Sequence, residues 1–314
     1  MSKFFNIALV QVASNTRNRD LESRKAENRE TMDWYLRLIS GLNPTVDLFV
    51  FPETFIAGFD PTNWLALAET IPGPSTDFFC REAKELGKWL CPGTVIEKRE
   101  GESGAYNTAL LISPAGEIVL KYSKVFVPQP FEPSLRGNDF PVYEIEGVGK
   151  IGIMVCADVQ IPEPARNLAL NGAEIILKPT CQGFFIGGLR NGVSITQART
   201  FENQCFMVSV NQCAPEGMGH SHVCDPEGRV LEELESTEAF TWVTLNLDEV
   251  LRARQYGVLG CYPYLKMLRE CQDDTQALGA CYTRGLANAP VFENLPGGPP
   301  KTPSEIRRFG DTEP

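Results

Sequence analysis

Residues 4–12 are almost continuously apolar, the pattern of a strand buried on both faces. Residues 22–40 then carry Met32, Leu36 and Ile39 at helical spacing among charges, and Gly41 with Pro44 closes the segment. Residues 46–51 form a second apolar run. This opening stretch predicts a strand–helix–strand unit, in which functional side chains gather where strands end. Pro52-Glu53 stands at such an end. The stretch from Gly73 to Asp77 caps an amphipathic helix predicted to run to Trp89, and residues 93–97 read as the next strand. Residues 107–113 and 117–122 are β-type runs separated by Pro114-Ala115-Gly116, a hairpin signal.

A connection containing Pro128, Pro130 and Pro133 leads to Gly137 and then to a strand predicted to end at Cys156. Pro162-Glu163 next opens a helix closed by Gly172. Cys156 therefore stands at a strand-to-helix elbow, where the positive end of a helix favours a thiolate. Further on come a strand at 174–178, a Gly-rich loop at 179–190 and a helix at 193–203. Strands at 206–211, 222–224, 229–234 and 240–247 complete the pattern, with Asp225-Pro226-Glu227-Gly228 as a turn. Strands and helices alternate in both halves, which predicts one α/β layered fold. That domain spans residues 1–284. From Gly285 onward Pro, Gly and polar residues dominate, so residues 285–314 read as a tail without a core of its own.

Composition narrows the function without naming it. With 43% hydrophobic and 22% charged residues in 314, the chain has the make-up of an ordinary soluble protein. A net charge of -11 and the lack of any Lys/Arg cluster argue against nucleic-acid binding. The N-terminal apolar run breaks at Gln11 without a small-residue cleavage site, and no run approaches membrane-spanning length. The ten cysteines include no C-x-x-C pair, so neither a zinc site nor a disulfide framework is expected. A reduced, cytoplasmic protein with no membrane partner fits these features.

Three ionisable residues sit in unusual settings. Glu53 follows an apolar strand and lies among Phe51, Phe55 and Phe59. Poor solvation favours proton uptake by a carboxylate, so Glu53 reads as a general base or acid. Lys124 precedes Val125-Phe126-Val127, and an ammonium in apolar company needs an anionic partner. Cys156 completes the set. With their flanks, Phe-Pro-Glu53-Thr, Lys-Tyr-Ser-Lys124-Val and Ile-Gly-Ile-Met-Val-Cys156-Ala-Asp, they resemble the nitrilase, or carbon-nitrogen hydrolase, superfamily. Gln197-Ala-Arg199-Thr-Phe-Glu202-Asn203 looks like that family's Arg-x-x-Glu-Asn segment.

The resemblance implies a four-layer α-β-β-α sandwich, no cofactor, a small-molecule amide as substrate, and homo-oligomers. It implies that Glu53 takes the thiol proton, Cys156 attacks the carbonyl, and Lys124 stabilises the oxyanion with the backbone N–H of Ala157. Glu132 falls where the family has a second glutamate that positions substrate or orients the lysine. Phe131, Phe184 and Phe185 are expected to line an apolar pocket. Arg199 and Glu202 read as structural, and so do the two histidines, His220 and His222.

True nitrilases usually show Trp-Glu after the nucleophile, whereas this chain has Ala157-Asp158. N-carbamoyl amino acid hydrolases tend to place arginines three and four positions past the cysteine; here those are Val159 and Gln160. A carboxylate-bearing substrate would need another cation, Arg190 or Lys178, so a neutral amide is favoured. A carbamoyl hydrolase, a nitrilase, an amide-forming acyltransferase and a non-catalytic binding module stay open.

Overall fold

β1 (Phe4–Gln11) points Phe5, Ile7 and Leu9 into one core, and Ala8 and Val10 into another, as the two-residue period of a strand requires. The computed structural model describes residues 3–183, 189–257 and 263–267, with residues 189–191 described by backbone alone. The predicted tail at 285–314 lies outside them, as do Phe184 and Phe185. α1 (Leu21–Leu42) starts where the Asp20 carboxylate accepts the Ser23 N–H at 2.9 Å. Its Met32, Leu36 and Ile39 pack with Val10 and Phe49 in the second core, and β2 (Leu48–Val50) returns parallel to β1. Each fully buried aliphatic side chain of this kind contributes roughly 1.5–3 kcal/mol.

α2 (Trp64–Leu67) is a single turn, and α3 (Pro74–Leu86) is closed by Gly87 with a left-handed φ of 65°. The helix predicted to reach Trp89 therefore stops at Leu86. Trp89–Cys91 is instead β3, parallel to β2. Leu90 and Cys91 are buried, and that burial prolonged the amphipathic pattern past the true helix end. β4 (Thr94–Lys98), β5 (Ala105–Ile112) and β6 (Ile118–Ser123) pair antiparallel around β5.

The second sheet contains β7 (Val142–Ile145), β8 (Gly149–Ile153), β9 (Ile175–Thr180), β10 (Phe206–Asn211), β11 (His222–Cys224) and β12 (Val230–Glu233). Its order is β12-β11-β10-β9-β8-β7, with β8, β9 and β10 parallel. β13 (Ala239–Asn246) crosses back to pair antiparallel with β1, giving a first sheet ordered β13-β1-β2-β3-β5-β4 with β6 on β5. α4 (Pro162–Leu170) and α5 (Leu189–Asn203) join the parallel strands, and α6 (Asp248–Tyr256) follows β13.

Ile7, Leu9, Val50 and Leu111 from the first sheet share one core with Ile153, Leu177, Val208 and Val210 from the second. α1 and α3 cover the outer face of the first sheet. Leu168 of α4 lies against Gly152 of β8, and α5 packs on β10 and β11. The layers are thus α-β-β-α. Parallel strands of both sheets end on one side, where Glu53 follows β2, Cys156 follows β8 and Cys181 follows β9. No described helix is long and apolar enough to cross a membrane.

Candidate active site

Glu53 is fixed by backbone before its side chain does anything. Its N–H donates to the Thr180 carbonyl at 3.3 Å, and its own carbonyl accepts from Gln212 Nε2 at 2.8 Å. Thr54 beside it has a left-handed φ of 51°, held by a 2.9 Å hydrogen bond from its N–H to Thr94 Oγ1. Gly93 permits this corner. A Cβ there would lie 1.8 Å from the Pro52 carbonyl oxygen, and its φ is 84°, so only glycine lets the β3–β4 link pass.

Glu53, Lys124 and Glu132 are each about 1% exposed and form one ion cluster. Lys124 Nζ donates to Glu53 Oε1 at 2.8 Å and to Glu132 Oε2 at 2.5 Å. Asn107 Nδ2 bridges the same carboxylates, at 2.7 Å to Glu53 Oε1 and 2.9 Å to Glu132 Oε1. Ser134 Oγ donates to Glu132 Oε1 at 2.7 Å, and the Cys181 N–H to Glu53 Oε2 at 2.8 Å. Burial alone would lower the Lys124 pKa; the charges of Glu53, Cys156 and Glu132 outweigh it and hold the ammonium well above the usual lysine value. The backbone on both sides of Lys124 is tied as well: its N–H donates to Asn107 O and its carbonyl accepts from Gly137, both at 2.9 Å.

β8 ends at Ile153, not at Cys156 as the apolar run predicts. Cys156 opens a short 3-10 turn, Cys156–Gln160, and itself adopts a φ of 46°. A left-handed β-carbon residue stores roughly 1–3 kcal/mol of strain, which the surroundings must hold. Asp158 does much of that holding. Its carboxylate accepts the Val155 N–H (2.8 Å), the Phe126 N–H (2.8 Å) and the Tyr122 hydroxyl (2.7 Å). Arg199 donates to the Val159 carbonyl at 3.1 Å and pairs with Glu202 at 3.0 Å, the structural roles expected of both.

The expected low-pKa thiolate is corrected by the structure. Burial, then the Glu53 carboxylate, push the Cys156 thiol up to about 12, with Lys124 pulling the other way. The helix end invoked for the thiolate belongs to α4, which starts only at Pro162. Cys156 thus needs a base to lose its proton, and Glu53 acts on it electrostatically from within the same cluster.

Glu53, Lys124, Glu132 and Cys156 all line one cleft. Phe131, 65% exposed, forms part of its wall with Phe59. Ala157 follows Cys156 in the turn, is partly exposed and is not one of the cleft-lining residues. Lys178 is elsewhere: with His222 and Ser209 it lines a separate cavity with room for little more than one water. His222 donates from Nδ1–H to the His220 carbonyl at 2.7 Å, and burial lowers its pKa to about 3, so it is a neutral structural histidine. Among the described residues no group of three or more His, Cys, Asp or Glu could hold a metal ion.

Sequence reasoning missed Asn107, Ser134 and Gln212, and treated Asp158 only as a family marker. The available signal was polarity at strand positions: Asn107 and Thr108 are polar residues opening an apolar strand, and both are fully buried. Glu216, which also lines the cleft, lies in a loop whose sequence carries no such signal.

The carbon-nitrogen hydrolase family model matches residues 6–255. A formamidase from Bacillus cereus is 31% identical over 198 residues, covering 60% of this chain but 58% of the formamidase. An amidase from Nesterenkonia sp. is 26% identical, with a TM-score of 0.67 over 79% of this chain and 92% of that structure. A mutant of that amidase shows covalent addition of the acetamide moiety of fluoroacetamide at its active site cysteine. Nit3 from Saccharomyces cerevisiae, a nitrilase-superfamily member, shares the fold with a TM-score of 0.72 at 22% identity, over 81% of this chain and 94% of that one. A family match across most of the described residues, on a matching four-layer fold, shows that this chain belongs to the carbon-nitrogen hydrolase family.

Proposed function

We propose that this protein hydrolyses a linear amide to a carboxylic acid and ammonia or an amine through a thioester on Cys156. The observation that carries this reading is the shared cleft: a buried thiol beside two buried carboxylates that are bridged by one ammonium. The formamidase and amidase relatives support amide chemistry, and the cysteine adduct in the Nesterenkonia amidase supports a sulfur nucleophile.

Glu53 takes the Cys156 proton as sulfur bonds to the amide carbon, and the carbonyl oxygen becomes an oxyanion. The Lys124 ammonium stabilises that charge; one such preorganised donor is worth roughly 3 kcal/mol. Glu53 then returns the proton to the departing nitrogen, which breaks the C–N bond and leaves a thioester. Water, deprotonated by Glu53, attacks the thioester, and the acid leaves as the thiol is restored. Glu132 takes no proton in this scheme. With Asn107 and Ser134 it fixes the direction of Lys124.

Ammonia release with simple primary amides is the test. The wild-type protein should release one ammonia per amide consumed, and Cys156→Ala should lose about a thousandfold or more in kcat while melting normally. Wild-type rates from a folded Cys156→Ala protein would refute the assignment.

A further inference from the structure

The peptide unit between Glu53 and Thr54 is gripped at both ends by side chains carried on opposite sheets. Its carbonyl accepts from Gln212 Nε2 at 2.8 Å, and its N–H donates to Thr94 Oγ1 at 2.9 Å. Thr94 opens β4 in the first sheet, and Gln212 follows β10 in the second. Glu53, Thr54, Thr94 and Gln212 are all buried, at 1% exposure or less. The grip fixes the peptide in the orientation that gives Thr54 its φ of 51°. A residue with a β-carbon is strained there. Rotating the peptide by about half a turn would return Thr54 to the extended region while leaving both Cα atoms nearly in place.

Gln212 is built to oppose that rotation. Its Oε1 accepts from the Ser14 N–H at 2.9 Å and from Ser14 Oγ at 3.0 Å, so its amide group cannot turn over and Nε2 is left facing Glu53. Its backbone is tied as well. The Gln212 N–H donates at 3.2 Å to the Thr180 carbonyl that also accepts the Glu53 N–H, and its own carbonyl accepts from Gly219 at 2.9 Å. In a turned peptide the Thr54 N–H would meet the Gln212 N–H, two donors facing each other where neither reaches water. Thr94 imposes no such choice, because a hydroxyl serves a carbonyl as readily as an N–H. The preference for the strained orientation therefore lies with Gln212.

We infer that Gln212 is a positioning residue: by holding the Glu53 carbonyl it keeps the strained peptide from turning over, and so keeps the Glu53 carboxylate on Lys124 and in reach of Cys156. This rests on the role of Glu53 as the base in the proposed reaction, and adds what holds that base in place. Misplacing a reacting group by about 1 Å costs about a hundredfold in rate.

The test reads the peptide directly in crystal structures of variants, and the base through alkylation of Cys156 by iodoacetamide, in which the sulfur displaces iodide as Glu53 takes the thiol proton. Gln212→Glu keeps the shape but turns the donor into an acceptor, which repels the Glu53 carbonyl and attracts the Thr54 N–H. Its peptide should be turned, with Thr54 at a negative φ. Alkylation of the Cys156 peptide and kcat on an amide should both fall by about ten- to a hundredfold, with KM changing less. Gln212→Met, which adds no buried charge, should turn the same way with a smaller loss. Glycine is at ease in the left-handed region, so adding Thr54→Gly to Gln212→Met should recover the alkylation rate by at least about threefold. Thermal melting shows that each variant is folded. An unturned peptide or an unchanged alkylation rate in folded Gln212→Glu, or no recovery with Thr54→Gly, overturns the inference and leaves the amidase reading standing. A wild-type protein that hydrolyses no amide would overturn that reading instead, with the peptide orientation and the alkylation rates still deciding the role of Gln212.

Discussion

Asn107 shows how one uncharged side chain governs a charged site. Its Nδ2 donates to both Glu53 and Glu132, while its backbone carbonyl accepts the Lys124 N–H, so it sets the separation of the two carboxylates and the strand that carries the ammonium. Its own Oδ1 is buried without a partner among the described residues, a cost consistent with a side chain kept for what its amide nitrogen does. Asn107→Leu should preserve the strand and remove two charge-assisted hydrogen bonds, each worth roughly 1.5–3 kcal/mol. Urea denaturation should show the loss, and kcat on an amide should fall by about ten- to a hundredfold with KM changing less. Unchanged kcat in a folded variant would mean that Asn107 does not set the pose of the cluster. At this scale Glu53, Lys124, Glu132 and Cys156 were legible in the sequence because they stand inside motifs. Asn107 and Ser134 were not, because their value lies in which atoms they meet, and those partners are separated from Asn107 by 54 and 25 positions.

The element that matters most is the turn Cys156–Gln160, in which a left-handed cysteine is pinned by a single carboxylate. Asp158 can accept three donors because both of its oxygens are acceptors. In Asp158→Asn one oxygen becomes an NH₂ that faces a donor, so the variant should lose roughly 2–4 kcal/mol and release the strained backbone at Cys156. The expected readout is a lower melting temperature together with a loss of ammonia release. A variant as stable and active as the parent would show that the turn holds itself. Most elements were readable from periodicity and punctuation, including the hairpin at Gly116 and the turn closed by Gly228. The misread boundaries share a cause. After α3 and after β8, buried apolar residues continue past the element's end, so periodicity alone could not place Leu86 or Ile153 as the last residue.

Across the whole molecule, each sheet supplies part of the site: the first carries Glu53 and Lys124, the second Cys156 and Cys181. The cleft therefore exists only where the two sheets are packed, and the stability of that packing bears on function. Lys178 is an internal weakness. It is about 1% exposed, and among the described residues its ammonium meets Thr196 Oγ1, at a long 3.4 Å. Burial lowers its pKa from 10.5 to about 8. Below pH 8 the folded protein must hold a poorly solvated ammonium, so the penalty is complete there. Between pH 8 and 10.5 the folded protein has released a proton that the unfolded chain still binds, and the penalty fades. Lys178→Met should thus be more stable than the parent by about 3 kcal/mol at pH 7, and the gain should shrink toward pH 10.5. A difference in stability that does not vary with pH would show that Lys178 does not titrate as described.

The central claim, a covalent acyl group on the Cys156 sulfur, has a direct measurement. The protein is mixed with an amide that it hydrolyses, quenched in acid within milliseconds to seconds, and read by intact and peptide mass spectrometry. The account predicts an added acyl mass on the peptide containing Cys156, absent from Cys156→Ala and lost as the amide is consumed. An acyl group found on Cys181 instead, or steady hydrolysis by the Cys156→Ala protein, would contradict it.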